Sequence, residues 1–190
     1  AVVPVTHLPN DSKDETTIHT RVKQVESSEV IGFCLQITVN MAAGGAGTTV
    51  WYQREVTISA KRRGCHYISD DILKACKEEI NMIKIGVAHI HIKHTSASII
   101  LNENYDPTVL TDMEMVLNKL APENLNYKHT LEGPDDMPAH AKAALMGSSV
   151  SIPITNGKFN LGTWQGVWLC EHRDHGGSRN VVVTLNGLKK

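Results

Sequence analysis

Four short stretches concentrate the residues able to move protons or hold a metal ion. Seven of the ten histidines fall within residues 89–94 and 129–175, so chemistry is sought there. The first stretch is His89-Ile-His91-Ile-Lys93-His94. Alternate strand residues share a face, so His89 and His91 point one way and His94 the other. His89 and His91 read as the wet side of a half-buried strand, although such a pair could chelate an ion. His94 ends the apolar side, beside Thr95-Ser96, where an imidazole must find polar partners. The second stretch, Asn102-Glu103-Asn104-Tyr105-Asp106-Pro107, reads first as a turn leading into a helix. Glu103 becomes a general base only if that strand end opens into a pocket.

The third stretch runs from His129 to His140 and holds Glu132, Asp135 and Asp136 between its two histidines. Asp136 and His140, four apart, can share one helix face. This density of imidazole and carboxylate gives either metal ligands or an acid/base pair. The same helix start could hold a phosphate. The plainer reading makes Asp135 or Asp136 the helix cap. The fourth stretch, Gly162 to Gly177, contains Gln165, Cys170, Glu171 and His172. Glu171 sits in an apolar strand and is costly to bury unless paired. Cys170 reads as a buried structural thiol rather than a nucleophile activated by His172.

The elements that must position these groups follow from periodicity. Residues 1–20 are polar and read as a tail. Residues 22–39 alternate as a strand, and 41–47 are linker-like, with Met41 as an alternative start. Strands are expected over 50–58, 87–93, 98–101, 164–172 and 180–185. A hairpin is expected over 150–161, turning at Asn156-Gly157. One helix is expected from a Ser69 cap through Ile83, closed by Gly86. A second starts at Asp106-Pro107 and stops at Pro122, and a third runs from Asp135 or Asp136 to Gly147. Strands and helices mix without βαβ alternation, which gives an α+β class with a largely antiparallel sheet.

Composition narrows the function. With 19 basic and 20 acidic residues there is no charge footprint for nucleic acid or an anionic membrane. No apolar run reaches the roughly 18 residues of a spanning helix. The first residues lack a signal-peptide pattern. Four cysteines without a CxxC pair argue for reduced thiols and a cytoplasmic setting.

Four ordered motifs resemble the YjbQ family: His94-Thr-Ser-Ala97, Asn102 to Pro107, Glu132 to Leu145, and Leu161-Gly-Thr-Trp-Gln165. The likeness runs from about Trp51 to Gly187 and leaves residues 1–47 as an extension outside a 48–190 catalytic domain. It implies an α+β fold with a mainly antiparallel β-sandwich or pseudo-barrel, and a homotrimer with its cleft near the subunit interface. It also implies a thiamine-phosphate synthase-type activity. That reaction joins a pyrimidine pyrophosphate to a phosphorylated thiazole and releases pyrophosphate. The family histidines fall on His94, His129 and His140, which the resemblance makes ligands of a divalent metal, zinc by preference. The motif acids and amide fall on Glu103, Asp136, Glu171 and Gln165, as catalytic candidates. Lys142 or Arg173 would assist the leaving pyrophosphate. The 173–177 turn departs from many members, which makes His172 and His175 less secure. The chain carries no phosphate loop and no DDxxD motif, so two alternatives stand. One is a metal-dependent hydrolase on the same three histidines. The other is a non-enzymatic trimer that binds a metal or small ligand.

Overall fold

The computed structural model describes residues 47–190, and eight strands and three helices lie within them. The expected tail, the strand over 22–39 and most of the 41–47 linker lie outside the described residues. The strands are β1 (Thr49–Ile58), β2 (Gly64–Tyr67), β3 (Ile83–Ile92), β4 (Ala97–Glu103), β5 (Ser149–Thr155), β6 (Lys158–Phe159), β7 (Gln165–Glu171) and β8 (Arg179–Lys189). The helices are α1 (Ser69–Asn81), α2 (Thr108–Leu120) and α3 (Asp136–Met146).

All strand pairings are antiparallel, and they form two open sheets. The larger has the order β1-β8-β3-β5-β6 and the smaller β2-β7-β4. This is the expected α+β sandwich, and neither sheet closes into a barrel. Period-2 alternation explains the layering. In β3, Ala88, Ile90 and Ile92 are buried while Val87, His89 and His91 face out. Those inward residues meet Ile99, Val167 and Leu169 of the small sheet and Ile72, Cys76 and Ile80 of α1. Burial raises the Cys76 thiol to about 11, so it serves as a core residue. The other face of the small sheet carries Cys65, Trp168 and Cys170 against Leu117 of α2.

Several boundaries differ from the sequence expectation for local reasons. Gly86 does not close a helix. It lies inside β3 opposite Gly187, where a Cβ would strike the Asn186 carbonyl and the Gly187 backbone. β3 therefore begins at Ile83, four residues before its expected start. Ser69 does not cap α1, because its Oγ accepts the Val167 N–H at 2.9 Å. β2 has only four residues, too short for alternation to reveal. The hairpin turn matches its Asn-Gly signal, with φ of 52° and 79° at Asn156 and Gly157.

Candidate metal centre

The N-terminal end of α3 carries Asp136, whose side chain is 1% exposed. A carboxylate this deep must be compensated. His129, from the loop before α3, places Nε2 2.8 Å from Asp136 Oδ2. His140, one turn on, places Nε2 3.4 Å from Oδ1. The 2.8 Å approach lies off the axis of a hydrogen bond, and Oδ2 has no hydrogen-bond partner. His140 Nδ1 stands 3.0 Å from the Thr95 carbonyl, to which it can only donate. That bond fixes the tautomer and leaves the Nε2 lone pair facing a carboxylate. One ligand atom from each of the three residues lies within 4.8 Å of the others. An orphaned buried carboxylate oxygen and two imidazoles, one held by a backbone carbonyl, fit a divalent cation.

Arg173 supports this centre from the turn after β7. Its guanidinium pairs with Asp136 Oδ1 and, at 2.9 Å, with Asp135 Oδ2. It also donates to the Glu132 carbonyl at 2.8 Å and approaches the Glu132 carboxylate at 3.2 Å. Asp135 further accepts the Asp174 N–H at 3.0 Å, and these donors hold its carboxyl below the ordinary range despite burial. Asp135 stands at the N-cap position of α3, as the sequence suggests, but its carboxylate is spent on Arg173 and the Asp174 N–H and makes no capping bond. Arg173 was expected to meet pyrophosphate, yet the three carboxylates occupy it.

His94 stands apart from this cluster. It shares a cleft of about 370 Å³ with His140, but both of its ring nitrogens face β8. The Asn180 N–H donates to Nε2 at 2.9 Å, and Arg179 Nη1 lies 3.2 Å from Nδ1. Burial, then the Arg179 charge, lowers the His94 pKa. The three histidines expected to share one ion are thus divided, and Asp136 joins His129 and His140 instead.

Glu171 is fully buried and its partner is Arg179, in a two-pronged pair with both contacts at 2.6 Å. Gly176 packs on that pair, where a Cβ would collide with both side chains. Glu171 is thus paired with Arg179 and is not one of the three clustered residues, His129, Asp136 and His140. Its link to the site is the Arg173 N–H, which donates to Oε1 at 3.0 Å. Lys142, offered for pyrophosphate, is buried and bonds Asn118 Oδ1 of α2 at 2.6 Å. Burial lowers its pKa. Glu103 and Gln165 are cross-strand partners at the far end of β4 and β7. Seven strand residues separate that end from the histidines, roughly 20 Å.

His172 is buried against Ser98 Oγ at 2.8 Å, and burial followed by the Lys142 charge pushes its pKa down to about 3. The folded protein therefore keeps it neutral while the unfolded chain protonates near 6.5. Stability from this group is full above that value and declines as pH falls toward 3. The expected slope is about 1.4 kcal/mol per pH unit across that window. Urea unfolding at several pH values should show the slope, and His172→Gln should flatten it. An equal slope in the variant would assign the acid lability elsewhere.

A family model described as UPF0047 protein YjbQ-like matches residues 54–188. The chain belongs to the YjbQ-like family. The UPF0047 protein YjbQ of Escherichia coli O157:H7 is 49% identical over 138 residues, covering 73% of this chain and 99% of that protein. A UPF0047 protein of Methanocaldococcus jannaschii is 43% identical over 129 residues, 68% of this chain and 89% of its own. Among solved structures, an uncharacterized YjbQ/UPF0047 protein of Clostridium acetobutylicum has a TM-score of 0.62 at 38% identity. It covers 70% of this chain and 98% of its own. A protein of Sulfolobus solfataricus has a TM-score of 0.67 at 24% identity, covering 74% and 99%, a likeness of fold alone. In this YjbQ-like chain no helix among the described residues is long and apolar enough to cross a membrane.

Proposed function

We propose that the chain is a divalent-metal-dependent enzyme acting on a small phosphorylated substrate. Its reaction is a transfer of the thiamine-phosphate synthase type, with release of pyrophosphate. The observation that carries the metal centre is the buried Asp136 carboxylate, whose unpartnered Oδ2 faces His129 Nε2 while its Oδ1 faces His140 Nε2. The transfer itself rests on the family resemblance. A divalent ion held by His129, Asp136 and His140 would supply Lewis-acid stabilisation to phosphoryl oxygens.

The chain's own residues divide the remaining work. Thr95 orients His140 through its carbonyl, and Arg173 orients Asp136 through Oδ1. His129, about half exposed, stands at the solvent side of the three ligands, where substrate would approach the ion. The self-association as a homotrimer inferred from the family belongs to the same proposal.

A metal-dependent hydrolase is the second reading, and one observation favours it. Both cations offered for pyrophosphate, Lys142 and Arg173, are committed to protein partners. The two readings separate in one assay. Metal-loaded protein is given a pyrimidine methyl pyrophosphate with and without thiazole phosphate. Transfer predicts pyrophosphate release that requires the thiazole and is inhibited by added pyrophosphate. Release without the acceptor would replace the transferase with the hydrolase.

A further inference from the structure

Two of the motifs in the sequence meet away from the metal centre. β4 ends at Glu103 and β7 begins at Gln165, and these two face each other across the ladder. They continue the row Ile99/Leu169 and Leu101/Val167, which packs into the core. The core thus ends in a polar pair at the mouth of a cleft of about 540 Å³. Leu101, Asn102, Gly162, Thr163 and Trp164 complete its lining. The Asn104 N–H donates to the Trp164 carbonyl, and the Gly162 N–H donates to Gln165 Oε1 at 2.9 Å. Gly166 leaves room for the Asn104 side chain, whose Cβ and amide a Cβ there would crowd. The two loops are therefore tied together, so the cleft is preformed.

Its chemistry is specific. Trp164 is 62% exposed, and Tyr105, 76% exposed, lies beside it with ring centroids 6.2 Å apart at 30°. Large aromatic faces turned to water beside a cleft are costly to leave bare. The Glu103 carboxylate has no salt-bridge partner among the described residues. Its recorded bond is a weak one, from the Asp106 N–H to Oε1 at 3.4 Å. Asp106 adds a second negative charge nearby, and together with burial the two carboxylates raise the pKa of Tyr67. Gln165 spends its oxygen on Gly162 and keeps its amide N–H groups for a ligand acceptor. The cleft thus offers a π face, a carboxylate without a cation, and one amide donor.

We propose that this cleft is a second binding site, for a flat nitrogen heterocycle with an amidine-type edge in its cationic form. Its ring lies on Trp164 and its two N–H groups meet the Glu103 carboxylate as a fork. Stacking, cation–π attraction and charge-assisted hydrogen bonds then act on one small ligand. The site lies roughly 20 Å from the metal centre along β4 and does not depend on the reaction proposed there.

The probe is 2-aminopyridine in slightly acidic buffer, where the ring nitrogen is protonated. It is titrated into the full chain, and indole N–H resonances are followed by NMR, with Trp164→Phe providing the assignment. The expected result is a saturable shift of the Trp164 resonance with a dissociation constant of order millimolar, as suits so few atoms. Glu103→Gln should weaken binding about tenfold, and Trp164→Ala, followed through the backbone amide of Gln165, should remove saturation. Pyridine, which lacks the amine, and cyclohexylamine, which lacks the flat ring, should each bind about tenfold more weakly. His140→Ala should bind as the native chain does, whatever becomes of the metal centre. Equal affinity in Glu103→Gln, equal affinity for pyridine, or shifts lost in His140→Ala would each overturn the proposal.

Discussion

Replacing Arg179 with methionine is expected to cost about 3–5 kcal/mol of stability, because it leaves the Glu171 carboxylate buried without its cation. Both members of that pair are nearly inaccessible, at 6% and 0% side-chain exposure. Arg179 also contacts Ser96 and His94, so its loss removes several partners together. For a domain of this size the melting temperature should fall by about 10 °C. Lys93→Met supplies the contrast. It breaks the exposed Lys93–Glu55 pair and should cost less than about 1 kcal/mol. Equal losses in the two variants, read from thermal unfolding, would show that burial of the Glu171–Arg179 pair does not govern its strength.

The second large effect concerns metal affinity. Asp136→Asn keeps the size of the side chain but removes the charge that two imidazoles and Arg173 surround. Loss of a groups-away supporting bond weakens metal sites by about 10–100-fold, so loss of a direct carboxylate ligand should weaken this one by about 100-fold or more. His94→Ala should leave affinity within about tenfold of the native value, because His94 faces β8. Competition with a chromophoric chelator measures both. A His94 variant as weak as the Asp136 variant would restore the three-histidine set that the sequence implied.

The sequence made the elements more legible than the site. Apolar alternation located β3 and the sandwich strands because one face of each is buried. Gly86 misled because a glycine after a helical stripe resembles a helix end, whereas here it permits close approach of β3 and β8. The 129–140 stretch drew attention through local density, and the i,i+4 relation of Asp136 and His140 survives in α3. Its partner Arg173 lies some 37 residues on, and no local spacing reports a contact made through the turn after β7. The pairing of Glu171 with Arg179 is equally invisible, since only β-strand register brings them together. The motifs offer Glu103 and Gln165 as catalytic candidates, and seven residues of β4 place them at a different cleft from the metal centre.

The most direct test of the metal centre is elemental analysis of the native protein, purified without chelators, beside His140→Ala. About one divalent ion, zinc by preference, is expected per native chain, with its loss in a variant that stays folded. A metal-free native protein, or a His140→Ala variant that retains its ion, would contradict a metal centre at His129, Asp136 and His140. The former result would leave His129 and Asp136 as an acid/base pair acting without a metal.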